Sequence, residues 1–200
     1  MGHDHHHKFD PANAARLDDP RRREVLPPAP LVAALPLRPG DRVADLGAGT
    51  GYWLRALLDA APAGTRFWAV DTEPAMLELL AERLRDHPRA GDVANVLSTE
   101  HHVPLPDGSV DVVVMGLVYH ELADRRGYLA EVRRLLAPAG RVAIVDWAVL
   151  PAGAERTMGP PDEERVPFET ARAEIQAAGF GDAVRVEGYR ETWCVVAGRE

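Results

Sequence analysis

The sequence predicts an α/β protein built on a doubly wound, mostly parallel sheet. Three observations predict it. Short apolar runs alternate with longer helical segments from Arg42 onward. One run, Val110 to Met115, is nearly continuous in β-branched residues, as a strand buried on both faces requires. A glycine-rich turn joins the first apolar run to the first helical segment.

The elements follow in order. Strands are expected at Arg42 to Leu46, Thr65 to Val70, Val93 to Ser98, Val110 to Met115 and Arg141 to Trp147. Between the first two, Thr50 to Ala61 is helical, with Trp53, Leu54, Leu57 and Leu58 at helical spacing and Pro62-Ala63-Gly64 as its stop. Glu73-Pro74 opens the next helix, since proline suits a first turn, and Met76, Leu77, Leu80 and Leu84 form its apolar side. A third runs from about Arg125 to Leu136, ahead of Pro138-Ala139-Gly140. An irregular stretch from Pro151 to Pro167 precedes a helix over Phe168 to Ala178 and two closing strands, Ala183 to Val186 and Thr192 to Ala197, in a hairpin-like finish. The first part of the chain is rich in proline and arginine, with helix starts at Asp10-Pro11 and Asp19-Pro20. Residues 1–39 are therefore expected to form a helical extension packed on the same domain as 40–200. There is no internal repeat.

Composition narrows the function classes. A hydrophobic fraction of 46% and a charged fraction of 27% are those of an ordinary globular protein, and no apolar run approaches the ~20 residues of a membrane span. The single cysteine, Cys194, forms no internal disulfide, and Met1 to His5 lacks an apolar signal core, so a cytoplasmic protein is expected. A net charge of -8 gives no footprint for nucleic acid; Arg21-Arg22-Arg23 and Arg133-Arg134 read as solvated helix faces. A small-molecule partner is expected, with neither nucleic acid nor membrane. His3, Asp4, His5, His6 and His7 carry metal-ligating groups, but flexible His-rich termini bind metal without purpose, and no metal site is expected.

The segment Asp45-Leu46-Gly47-Ala48-Gly49-Thr50-Gly51 carries most of the chemical information. Three glycines in five residues permit positive φ and let a ligand approach bare backbone. A dinucleotide loop would place its third glycine at position 52, where the chain has Tyr52. A phosphate-binding P-loop would follow Gly51 with lysine, which is absent. Hydrophobic strand, acid and D-L-G-A-G-T-G entering a helix resemble the signature of class I S-adenosylmethionine-dependent methyltransferases, of the type 11 or ubiquinone-biosynthesis-like groups. The resemblance covers about Gly40 to Leu150.

It implies a Rossmann-like sheet with an antiparallel last strand and S-adenosylmethionine as cofactor. In that family the loop backbone, here Gly47, Ala48, Gly49, Thr50 and Gly51, cradles the methionine half, and Asp45 faces its ammonium group. Asp71, followed by Thr72, ends the second strand, where an acid accepts hydrogen bonds from both ribose hydroxyls. The resemblance puts Met76 on the adenine ring. Register from Pro104-Leu105-Pro106-Asp107-Gly108-Ser109 sets Thr99 where the family has aspartate, which makes Glu100 and His101 the adenine contacts. Met115 and Gly116 close the fourth strand beside the transferred methyl group. Beyond them Tyr119 and His120 face the acceptor, with His120 suited to take a proton because its ordinary pKa is about 6.5. Asp146-Trp147 add an acid and a ring, and Thr157 to Pro161 is long enough to be a lid or binding loop. An arsenite acceptor would need several thiolates, against the lone Cys194.

The expected activity is methyl transfer to a small molecule by in-line displacement. Two other readings stay open: a cofactor-binding protein without catalysis, and a nicotinamide-dependent oxidoreductase, which Tyr52 disfavours.

Overall fold

A parallel strand covered on both sides needs apolar residues at consecutive positions, and Val112, Val113, Val114 and Met115 are all fully buried in the computed structural model, which describes residues 19–200. The His3 to His7 cluster and the Asp10-Pro11 helix start lie outside the described residues. Seven strands form one sheet: β1 (Arg42–Leu46), β2 (Arg66–Asp71), β3 (Val93–Leu97), β4 (Val110–Gly116), β5 (Leu136–Trp147), β6 (Val184–Arg185) and β7 (Thr192–Gly198). Their order is β3-β2-β1-β4-β5-β7-β6, with the first five parallel and β7 antiparallel to both β5 and β6. This is the doubly wound, mostly parallel sheet that the sequence predicts.

Among the described residues six α-helices accompany it: α1 (Arg22–Val25), α2 (Pro28–Ala34), α3 (Tyr52–Ala60), α4 (Pro74–Leu84), α5 (Arg125–Leu135) and α6 (Phe168–Ala177). One face packs Leu31, Leu54, Leu57, Leu77 and Leu80 from α2, α3 and α4 against Val43, Ala69 and Val112; the other packs Leu129, Val132, Ala171 and Ile175 from α5 and α6 against Val113, Ile144 and Val195. Local chemistry sets the helix starts. Gly51 at φ +86° turns the chain into α3, Pro74 occupies the first turn of α4, and the Asp124 carboxylate accepts the Gly127 N–H at 2.9 Å to cap α5.

Most element ends fall within two residues of expectation, and the start of β5 differs by more. β5 begins at Leu136, which pairs with Val110, but the register then jumps so that Val112 meets Arg141. The skipped residues include Pro138, which has no N–H for a ladder, and Ala139 at φ +62°. Strand order reverses between β1 and β4, so the crevice beyond their carboxyl ends is where a doubly wound sheet takes its ligand.

Val25, Leu26, Leu31 and Leu35, ahead of β1, belong to the same core as the sheet. Leu26, Leu31 and Leu35 are all but fully buried, the Tyr52 hydroxyl donates to Leu26 O at 2.7 Å, and the Arg22 guanidinium lies 4.9 Å over the Tyr52 ring. Leu31→Ala is therefore expected to cost about 2–5 kcal/mol in denaturant-induced unfolding, the range for emptying a filled core position. A loss below about 1 kcal/mol would make this arm an appendage rather than part of the fold.

Candidate functional site

The glycine loop is held through its own backbone amides. Gly47, Gly49 and Gly51 have φ of +72°, +51° and +86°, a region that side chains rarely adopt. With the chain so turned, the Gly47 and Ala48 amides donate to Val70 O at 2.8 and 2.9 Å, and the Gly49 amide donates to Asp71 Oδ2 at 2.8 Å. The other Asp71 oxygen accepts the Glu73 N–H at 3.0 Å at the start of α4. Burial pushes the Asp71 pKa up, while the amides of Glu73, Gly49 and Thr72 hold it down. Each carboxylate oxygen keeps a lone pair for a further donor. Ala48 and Thr50 are buried in the turn, and Met76, in the first turn of α4, is 3% exposed.

Asp45 is in a different condition. Its side chain is almost wholly buried at the end of β1, and neither carboxylate oxygen has a hydrogen-bond partner. Burial pushes its pKa up to about 7, tempered by the Leu54 amide, which approaches without reaching hydrogen-bond geometry. Nearby, the Trp53 indole N–H is buried and unpartnered against Gly116, where any Cβ would collide with the ring. An orphaned carboxylate beside a bare-backbone loop fits an ammonium-bearing ligand, and Asp71 fits vicinal hydroxyls. The residues present thus suit S-adenosylmethionine.

At the edge of the crevice, Ser98 N donates to Asp71 O at 2.9 Å and fixes the end of β3 against β2. Thr99 Oγ1 then accepts the amides of His101 and His102 at 3.4 and 3.0 Å, so threonine builds the turn at the position where aspartate is usual. Glu100 and His101 are exposed on that turn. The histidine with a partner is the next one, His102, whose Nδ1 lies 2.9 Å from Glu131.

β4 delivers Met115 and Gly116 to the switch point. Leu117 follows at φ +63°, unusual for a bulky residue, with its amide on Val145 O at 2.8 Å. A single 3-10 turn, Tyr119–Glu121, comes next. His120 Nδ1 is 2.8 Å from Asp146 Oδ1, and the His120 backbone N–H donates to Asp146 Oδ2 at 2.9 Å. Asp146, fully buried at the end of β5, has its Oδ1 further fixed by the Trp147 amide at 2.6 Å. A carboxylate only accepts, so the shared proton sits on Nδ1 and Nε2 is the basic nitrogen. Burial pushes the His120 pKa down, but the hydrogen bond and charge of Asp146, with Glu121 and Glu164, outweigh it and leave the pKa above 6.5. Glu121 Oε1 lies 3.8 Å from Nε2, and burial, moderated by His120, pushes its pKa up to about 7.

Tyr119 goes elsewhere, contrary to the expectation that it shares the acceptor pocket. It is fully buried among α5, α6 and β7, with its hydroxyl donating to Glu174 at 2.6 Å and its ring edge-on to Trp193. Its aromatic bulk suits that core better than a polar crevice. Two residues that matter to the geometry were not foreseen as partners. Asp146 is visible in the sequence as a strand-end acid, but its pairing with His120 is not. Arg165, buried beneath the irregular loop, donates to Ala148, Met158 and Pro160 carbonyls at 2.7, 3.0 and 2.9 Å and lies 5.5 Å over the Trp147 ring. Among the described residues no three metal-ligating side chains group together, and no helix is long and apolar enough to cross a membrane.

A family model described as a methyltransferase domain matches residues 44–144, half of the chain. The ubiquinone/menaquinone biosynthesis C-methyltransferase of Cupriavidus pinatubonensis is 30% identical over 117 residues, 58% of this chain and 47% of that protein. The chain spans about half the length of the curated relatives it matches. Among solved structures, a SAM dependent methyltransferase from Aquifex aeolicus superposes with a TM-score of 0.87 at 30% identity, covering 96% of this chain and all of that one. A type 11 methyltransferase from Sulfolobus solfataricus, with a TM-score of 0.64 at 24% identity over 90% of this chain and 92% of its own, shares the fold. Since the matched span runs from the acid of the glycine loop through β4 and into β5, the chain belongs to the methyltransferase-domain family of enzymes, whose methyl donor is S-adenosylmethionine.

Proposed function

We propose that the chain transfers a methyl group from S-adenosylmethionine to a small-molecule acceptor in the crevice beyond β1, β4 and β5. The observation that carries this reading is the buried, unpartnered carboxylate of Asp45 beside the glycine loop, a group left unsatisfied until a cation reaches it. Asp45 takes the cofactor ammonium, the backbone of Gly47 to Gly51 cradles the methionine part, and Asp71, with Thr72, takes the ribose hydroxyls. Met76 packs on adenine, Glu100 and His101 lie at its edge, and Met115 and Gly116 form the floor beneath the methyl group. The cofactor supplies a methyl already activated on a sulfonium. The protein's task is then alignment, worth roughly 7–11 kcal/mol of barrier, plus removal of the acceptor's proton. His120 Nε2 takes that proton while Asp146 holds the ring and stabilises the imidazolium.

Two outcomes test the reading. Asp45 has a folded pKa of about 7 against an ordinary 3.8, so the folded protein holds a proton the unfolded chain has lost between about pH 4 and 7. Its contribution to stability therefore falls as pH rises through that window. An ammonium beside it reverses the preference. Calorimetric titration with S-adenosylhomocysteine at pH 6, in two buffers of different ionisation enthalpy, is expected to show proton release. Asp45→Asn abolishes most of that release and weakens binding about tenfold or more. No release from the wild-type protein would remove Asp45 from the site.

The second outcome concerns His120, which must be neutral to accept a proton. With a metabolite fraction that takes up label from methyl-labelled cofactor, kcat/KM is expected to rise with pH through a midpoint above 6.5. His120→Ala should lower it about 10²- to 10⁴-fold, and Asp146→Asn should lower both the rate and the midpoint. A pH-independent rate in the wild type, with the His120→Ala rate unchanged, would leave alignment alone as the mechanism.

A further inference from the structure

The acceptor side of the crevice presents two proton acceptors side by side. His120 Nε2 is an acceptor because Nδ1 carries the proton shared with Asp146. Glu121 Oε1 lies 3.8 Å away, too far for a mutual hydrogen bond, and the Glu121 carboxylate accepts none from the described residues. Its side chain is 31% exposed, so it is open to a ligand. A hydroxyl or thiol brings one hydrogen and satisfies one of the two acceptors. A nitrogen with two or more N–H bonds satisfies both.

Charge selects the same chemistry. Glu121, Asp146 and Glu164 all act on His120, and Arg165, whose charge is felt by Asp146, has its guanidinium engaged by three carbonyls. A nucleophile arriving as an anion is opposed by these three carboxylates, whereas an ammonium is attracted to them.

Resting on the methyltransferase reading above, we propose that the acceptor is an amine, bridged between Glu121 Oε1 and His120 Nε2, and that Glu121 selects it. The bound ammonium passes one proton to Nε2. The nitrogen lone pair then forms the N–C bond as the C–S bond breaks and leaves its electron pair on sulfur. The product is an N-methylammonium, still cationic and still matched to Glu121, and His120 returns its proton to water.

The test has a binding arm and a transfer arm. In the first, matched primary amines and alcohols of the same carbon skeleton, such as phenethylamine and phenethyl alcohol, are titrated calorimetrically into the S-adenosylhomocysteine complex. The amine is expected to bind the wild-type protein about tenfold or more tighter than the alcohol, and Glu121→Gln, which keeps the shape, should erase the difference. In the second, methyl-labelled S-adenosylmethionine is incubated with a total metabolite extract, and label should collect in the fraction a cation exchanger retains at neutral pH. Equal amine and alcohol binding, label in neutral or anionic fractions, or no label with S-adenosylhomocysteine bound, would each overturn the proposal. So would a Glu121→Gln protein that loses S-adenosylmethionine affinity but keeps its preference for the amine, since Glu121 would then serve the sulfonium. Failure of S-adenosylhomocysteine to bind at all would instead overturn the methyltransferase reading.

Discussion

The carboxylate of Asp71 is the joint on which the crevice depends. One oxygen holds the Gly49 amide and the other the Glu73 amide, so a single strand-end acid ties the glycine loop after β1 to the start of α4. Its own carbonyl takes the Ser98 amide, which brings the end of β3 into the same joint. Three connections that would otherwise move independently are thereby indexed to β2. Asp71 spends two lone pairs on local backbone and keeps the others, and the backbone bonds fix the direction in which those others point.

The electrostatics of the crevice follow from where the sheet ends. Strand-end acids at β1, β2 and β5 place Asp45, Asp71 and Asp146 at one rim, and the 3-10 turn adds Glu121. Burial raises the pKa of Asp45, Asp71 and Glu121, the direction expected when carboxylates are taken out of water near one another. Such a rim is costly when empty and complementary to a cation. Under the proposed function the donor arrives with a sulfonium and leaves as a neutral thioether, so the same carboxylates favour donor over spent product.

The sheet was legible in the sequence because burial on two faces leaves continuous apolar runs, and the β-branched content of Val110 to Val114 favours strand over buried helix. The glycine loop was legible because positive φ at Gly47, Gly49 and Gly51 restricts the residue type. What escaped is long-range pairing between polar side chains. Asp146 and His120 are 26 positions apart, and nothing local to either marks the other. Arg165 reads as one more surface arginine until the loop from Ala148 to Pro160 is seen to wrap its guanidinium. The start of β5 at Leu136 was hidden by Pro138 and Gly140, since residues that break a ladder also disguise a strand that resumes beyond them.

The placement of Tyr119 explains how His120 is aimed. In a 3-10 turn successive side chains diverge by about 120°, so Tyr119 and His120 leave the turn in different directions. Tyr119 is driven into the core by its size, wedged against Trp193 and anchored through its hydroxyl to Glu174, which Arg125 also grips at 2.8 Å. With that residue fixed, the turn has no freedom to rotate, and the next side chain must project toward β5, where Asp146 meets it. The left-handed Leu117 is what brings the turn to this position, with its amide pinned to Val145 O just after β4 ends. A residue at positive φ and a buried tyrosine, neither facing the crevice chemistry, thus set the direction of the imidazole.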